Sequence, residues 1–219
     1  MNRKHAAFLF VALLTLAAQA GASPSSSVRA EVRRDLDEAR QEVRTELARE
    51  RNKLDTENLS LGDGLHFGKD RQGTAAKHAA PPPGEITPQG GLLVDGKAVT
   101  VDARQRRQLL AYRAQVIDLA RIGIDAGEQA AMLAIDATDV SLFRLIVGGL
   151  SGSLERRVEA TVQKQIQPMV LQICRRLPQV FDSQQALAAG LPEFRPYATL
   201  EPDDIDDCER DIRKDLAAR

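Results

Sequence analysis

Residues 85–137 read EITPQGGLLVDGKAVTVDARQRRQLLAYRAQVIDLARIGIDAGEQAAMLAIDA, and this stretch decides the fold. Ile86-Thr87-Pro88 is an extended tripeptide, because the residue before a proline is pushed out of the helical region. Pro88-Gln89-Gly90 then turns the chain. Gly91–Val94 is a short apolar run, Asp95-Gly96 is a strong hairpin dipeptide, and Lys97–Val101 alternates apolar and polar. Residues 85–101 therefore predict a small β-hairpin or three-strand element. Asp102 opens a helix in capping-box form, its carboxylate on a free amide and Gln105 reaching back. Leu109, Tyr112, Val116, Leu119 and Gly123 follow at three- and four-residue steps, thickened by Leu110, Ile117 and Ile124. Ala130, Leu133, Ala137, Val140, Phe143 and Val147 continue as a second stripe. Gly127 reads as a break or a bend in the run, giving helices near 103–125 and 128–147.

C-terminal to this stretch, residues 147–153 (VGGLSGS) interrupt the pattern. Ser151 or Ser153 then caps a helix striped by Val158, Val162, Ile166, Met169, Ile173 and Leu177, with Pro168 expected to kink it. A short helix at 183–189 ends at Gly190, residues 191–204 read as loop, and a last helix runs over about 203–217. Its inward positions are Ile205, Cys208, Ile212 and Leu216. Cys174 and Cys208 are the two cysteines of the chain. An even pair in an exported protein predicts one disulfide, against the reading of two buried free thiols. The bridge is structural in character, since no Cys-x-x-Cys pattern is present.

N-terminal to it lie three different compositions. MNRK is a basic n-region, residues 6–20 are apolar, and Ala18-Gln19-Ala20 or Ala20-Gly21-Ala22 offers a small-x-small cleavage site. Residues 1–22 thus read as a signal peptide and not as a membrane anchor, the apolar run being short for a span. Losing Arg3 and Lys4 with that leader takes the formal net charge from −1 to −3. Such a balance gives no reason to expect nucleic acid as a partner. Residues 23–58 hold a polar leader and a charged amphipathic helix. Its apolar positions are Val28, Val32, Leu36, Ala39, Val43, Leu47 and Leu54. Val32, Val43 and Leu54 recur at eleven residues, as do Leu36 and Leu47, which keeps a stripe straight along an α-helix. Arg33–Asp37, Arg34–Glu38, Arg51–Asp55 and Lys53–Glu57 are opposite charges four apart that support the helix by themselves. The stripe lies on the protein's own body or on a partner, self-association included, and the first is favoured. Residues 59–84 are rich in Gly, Pro and charge and read as a flexible linker, with LSLGDGLHF able to form a short strand. On that division residues 85–219 are the folded domain, and the charged helix is dispensable for its stability.

Chemistry is sparse. His5 leaves with the leader, and His66 and His78 fall in the linker, so residues 85–219 contain no histidine. That excludes a Ser–His or Cys–His couple and a His-ligated zinc site from the domain. Nucleophile-elbow, dinucleotide and P-loop patterns are absent. Gly148–Ser153 is glycine-rich, but no lysine follows at phosphate-loop spacing, and a turn is the better reading. Asp203, Asp204, Asp206, Asp207, Glu209 and Asp211 gather at a helix start, where acids favour the exposed amides more often than they hold calcium. Asp125, Glu128, Asp136 and Asp139 have no partner motif for acid–base work. Arg104, Arg106, Arg107 and Arg113, with Arg156, Arg157, Arg175, Arg176 and Arg144, suit either a solvated helix face or an anionic partner, and the solvated face is favoured. No catalytic, cofactor-binding or metal-ligating residue is assigned.

One resemblance adds an address. Ile86, Thr87, Pro88, Gly90, Gly96, Lys97, Gln105, Arg106 and Tyr112 match the motif of the YggN-like family of proteobacterial periplasmic proteins, which the chain resembles over roughly residues 85–147. The resemblance implies a periplasmic protein and carries no established activity. The expected fold is mainly α with a small N-terminal β-hairpin element. The expected function is a non-enzymatic envelope interaction or structural role, whose partner is an envelope protein or membrane surface. No cofactor and no transmembrane span after signal cleavage are expected. The alternatives are a module that holds a small apolar or anionic molecule between helices and, behind it, a carboxylate-dependent hydrolase.

Overall fold

The computed structural model describes residues 26–62, 81–147 and 153–217, with side chains described over 30–62, 81–138, 161, 164–208 and 210. The segment read as a signal peptide, both histidines of the segment read as a linker, and residues 148–152, read as a turn, lie outside these residues. The described chain runs α1 (Ser26–Thr56), β1 (Leu59–Leu61), β2 (Gly84–Ile86), β3 (Leu92–Val94), β4 (Lys97–Val99), α2 (Ala103–Val147), α3 (Ser153–Gly190), a 3-10 helix (Pro192–Tyr197) and α4 (Pro202–Ala217). The fold is mainly α with a small antiparallel β element.

The β element is larger than a hairpin. Four short strands form a meander in the order β1-β2-β3-β4. Both of its described turns have the chemistry that the sequence demands. Asp95 and Gly96 have φ of 50° and 70°, the pair of positive values that a two-residue type I′ hairpin requires. Between β2 and β3 the Gly90 amide donates to the Thr87 carbonyl and the Thr87 amide donates to the Gly91 carbonyl. Pro88 pre-sets the first turn position, and Gly90, at φ 77°, takes the left-handed one. β1 comes from the segment read as linker: Leu59 pairs with Ile86 and Leu61 with Gly84. Both ends of residues 59–84 are therefore built into the sheet, and the linker reading persists only over 63–80, which lie outside the described residues.

The core forms where the sheet meets the helices. Ile86 and Leu92 of the sheet, Leu109 of α2, Leu177 and Leu187 of α3, and Phe194 of the 3-10 helix are fully buried. Tyr112 and Phe194 meet edge to face at 5.4 Å between ring centroids. Residues 191–204, read as loop, thus supply two core aromatics, Phe194 and Tyr197. Tyr197 also fixes the start of β2. Its hydroxyl donates to the Pro82 carbonyl at 2.7 Å. A Cβ on Gly84 would lie 2.4 Å from its ring Cζ. Gly84→Ala is therefore an overpacking change against an anchored ring. It should lower stability by about 2–3 kcal/mol in urea titration.

Three expectations about the helices are corrected. α2 is one helix of 45 residues and does not break at Gly127. Gly123 and Gly127 have open space where a Cβ would sit, so neither serves a close approach. Each costs helix propensity that neighbouring contacts offset. Gly127→Ala should accordingly stabilise the protein, by about 0.5–1 kcal/mol in the same titration. α3 likewise runs unbroken from Ser153 through Pro168 and Pro178 to Gly190, where a helix ending near Leu177 and a separate one at 183–189 were expected. Pro178 removes the donor for the Cys174 carbonyl. The helix holds there because Cys174, Leu177 and Val180 around it are all buried. Leu110, expected in the core stripe, is 37% exposed.

Cys174 and Cys208 are bonded, with their Cα atoms 5.7 Å apart, so α4 is fastened to the buried part of α3.

Candidate functional site at the α1–α2 seam

α1 lies antiparallel along α2. Every described position of the sequence stripe (Val32, Leu36, Ala39, Val43, Leu47, Leu54) is half-buried, and no described residue of α1 is fully buried. Arg40 and Arg51 share that inner side. Arg40 reaches Asp136 at 2.8 Å. Arg51 reaches Asp125 at 2.6 Å and Glu128 at 2.8 Å. Asp55 takes Arg121 at 2.6 Å. Arg40 and Arg51 stand eleven residues apart, as do Asp125 and Asp136. Eleven residues are close to three whole turns, so two straight antiparallel helices bring the same pair into register again. Arg51 and Asp55, expected to pair along α1, instead pair across the seam. Asp136 raises the Arg40 pKa chiefly by its hydrogen bond, and Glu128 followed by Asp125 does the same for Arg51.

At the base of the seam the contact changes character. Arg113 of α2 is 8% exposed and has no carboxylate partner among the described residues. Its Nη2 donates to the carbonyls of Leu54 and Glu57, each at 2.8 Å, and to that of Asp55 at 3.3 Å. These are the end carbonyls of α1, which lack intrahelical donors and sit at the negative end of the helix dipole. The Nε of Arg113 is buried without a partner among the described residues. Arg113 is therefore neither a solvated face nor an anion site, and this corrects the grouping of Arg113 with Arg104, Arg106 and Arg107. It clamps the end of α1 just before the chain enters β1. Composition could not reveal this, since Arg113 sits among other arginines on a helix.

The remaining sequence candidates take structural positions. Asp102 accepts from the Arg104 and Gln105 amides, and Gln105 Oε1 accepts from the Asp102 amide, which completes the capping box. Gln105 Nε2 also donates to the Gly190 carbonyl, joining the start of α2 to the end of α3. Arg106 donates to the Gln89 carbonyl at 3.1 Å, so the Thr87–Gly90 turn rests on the first turns of α2. Ile86 and Tyr112 are core, and Gly96 and Lys97 are an exposed turn. Of the acids near Gly127, Asp125, Glu128 and Asp136 are partners of α1, and the side chain of Asp139 lies outside the described residues. Of the acids in α4, Asp204 accepts from the Glu201 amide and Asp207 pairs with Arg210. Among the described residues no group of three or more His, Cys, Asp or Glu is arranged to hold a metal ion. Among them, too, no helix is long and apolar enough to cross a membrane.

One polar cluster is buried within the core. Gln184 is 3% exposed, donates to the Tyr197 carbonyl at 2.8 Å and accepts from the Leu200 amide at 3.1 Å. Burial pushes the Tyr112 phenol up to about 12 from an ordinary 10, partly offset by a hydrogen bond to Gln184. A raised folded-state value means that the unfolded chain loses this proton first. The stabilisation is full below pH 10 and lost as pH rises towards 12, about 3 kcal/mol in all. Urea midpoints measured between these pH values should fall, and Tyr112→Phe should flatten the fall.

Compared with family models, curated proteins and solved structures, the chain matches none.

Proposed function

We propose that this chain is an exported, non-enzymatic protein of the periplasm that works by contact, presenting the paired helices α1 and α2 to an envelope partner. The observation that carries this reading is where the core stops. Among the described side chains the outermost buried residues on the helices are Ile122 of α2 and Ile173 of α3. α2 continues for 25 more residues, roughly 37 Å, and α1 accompanies it. Over its described side chains, those of α1 and of α2 residues 123–138, this projection buries none completely, and over that length it adds surface and not core. The export signal in residues 1–22 and the resemblance to the YggN-like periplasmic family support the address. The absence of histidine from residues 85–219 and the engagement of Asp125, Glu128 and Asp136 by arginines support action without catalysis.

The test is site-directed photo-crosslinking in periplasm-directed, full-length protein. A photoreactive residue at Arg44, on the outer side of α1, should give discrete adducts. The same residue at Glu193, on the 3-10 helix, should give none. Adducts at position 193 and none at 44 would place the contact surface elsewhere.

A further inference from the structure

The ties between α1 and α2 are of two kinds: a clamp found at the base, and ion pairs spaced along the whole seam from Arg121–Asp55 at the base to Arg40–Asp136 towards the free end. At the base Arg113, 8% exposed, grips three carbonyls, and β1 continues from there as a paired strand. Beyond the base the polar ties across the seam, among the described residues, are ion pairs that solvent reaches, the most covered being Arg51–Glu128 at 34% and 26% exposed. Arg51 is 34% exposed against Asp125 at 50%, and Arg40 is 24% exposed against Asp136 at 62%. Exposed pairs are individually weak and are screened by salt, whereas buried hydrogen bonds to a charged group are screened far less. The helix itself does not depend on the seam. Arg40–Asp37, Arg49–Glu46 and Lys53–Glu50 are ion pairs within α1, and residues 26–56 contain neither Gly nor Pro.

We infer that α1 is a hinged arm: it lifts from α2 at its free end as an intact helix, stays fixed at Arg113, and is held closed to a degree set by ionic strength. Lifting uncovers Val32, Leu36, Val43 and Leu47 together with the α2 surface that they cover. Closed, the seam hides an apolar stripe of the kind that another amphipathic helix recognises. The motion is a property of the chain alone and stands or falls independently of the contact reading above.

Pulsed electron resonance distances on the full-length, disulfide-intact protein test it. One spin-label pair is placed at Arg44→Cys and Gln129→Cys, towards the free end. A second is placed at Thr56→Cys and Ala114→Cys, at the base. Sodium chloride is raised from about 0.02 M to about 1 M, which shortens the screening length from about 20 Å to about 3 Å. The free-end distribution should broaden and move out by about 10 Å, one helix diameter, while the base distribution stays put. Arg51→Glu should open the free end already at low salt, and adding Asp125→Arg with Glu128→Arg should close it again. A free-end distribution that is unmoved by both salt and Arg51→Glu would overturn the arm. Equal displacement of both pairs would overturn the hinge.

Discussion

Arg113→Met will lower the stability of the protein by about 2–3 kcal/mol, the range for losing hydrogen bonds to a charged group. For a chain of this length that is a fall in melting temperature of roughly 10 °C. Methionine fills most of the space, so the loss is one of hydrogen bonding and not of volume. The carbonyls of Leu54, Asp55 and Glu57 lose a charged donor. Hydrogen bonds to a charged group are the stronger kind, and these three sit where α1 hands over to β1. Lysine is a poor substitute, because a single ammonium does not reproduce the planar guanidinium that spans them. Circular-dichroism melts of Arg113→Met and Arg113→Lys check this, and a midpoint within 2 °C or so of the parent for both would refute the clamp. The clamp also revises the expectation that residues 28–58 are dispensable. A truncation up to residue 84 removes β1 from the sheet edge and strips Arg113 of its acceptors, so it should destabilise the body.

Removing the disulfide as Cys174→Ser with Cys208→Ser is the second large effect. The two cysteines are 34 residues apart in sequence, a loop for which the bridge contributes about 3–4 kcal/mol. The loss should centre on α4. Cys174 is 1% exposed and continues the core of α3, whereas Cys208 is half-buried on α4. Intact mass of the isolated protein should lie two hydrogens below the reduced value, and urea midpoints of the double variant should fall in proportion. Free thiols in protein isolated from an oxidising compartment would contradict the pairing.

What was legible in the sequence was local. Asp95-Gly96 specifies a hairpin by its backbone preferences alone, and Asp102 with Gln105 specifies a helix start by bonds within four residues. The α1 stripe was legible because an apolar position on a helix is marked by its spacing, and the same positions are the half-buried ones. Long-range contacts decided the rest. Gly127 and Pro178 carry local penalties that say break, yet packing along α2 and α3 outweighs them. Phe194 and Tyr197 stand between prolines in a stretch without periodicity, and a 3-10 helix buries them because the sheet and α2 leave an aromatic-sized space. β1 is three residues long, too short for a period; LSLGDGLHF allows a short strand, but it is pairing with β2 that makes Leu59–Leu61 one. Arg113 looks like any surface arginine until α1 is laid over it. The seam could be anticipated as a stripe, but its far side could not, because the acids that receive Arg40 and Arg51 lie some seventy to a hundred positions away. No catalytic or ligand site was assigned from the sequence. Among the described residues the acids and bases of the seam take one another as partners.

The central claim is that α1 belongs to the fold at its base and is only lightly held beyond it. Native-state hydrogen exchange on the full-length protein tests this most directly, since each backbone amide reports its own opening free energy. Amides of residues 54–61 should exchange only with global unfolding, at the same rate as those of Leu109–Leu119 in the core. Amides of α1 nearer its start should exchange orders of magnitude faster, and faster still at high salt. Rapid exchange throughout 54–61 would mean that the segment is a tether after all, and the anchored arm would have to be given up.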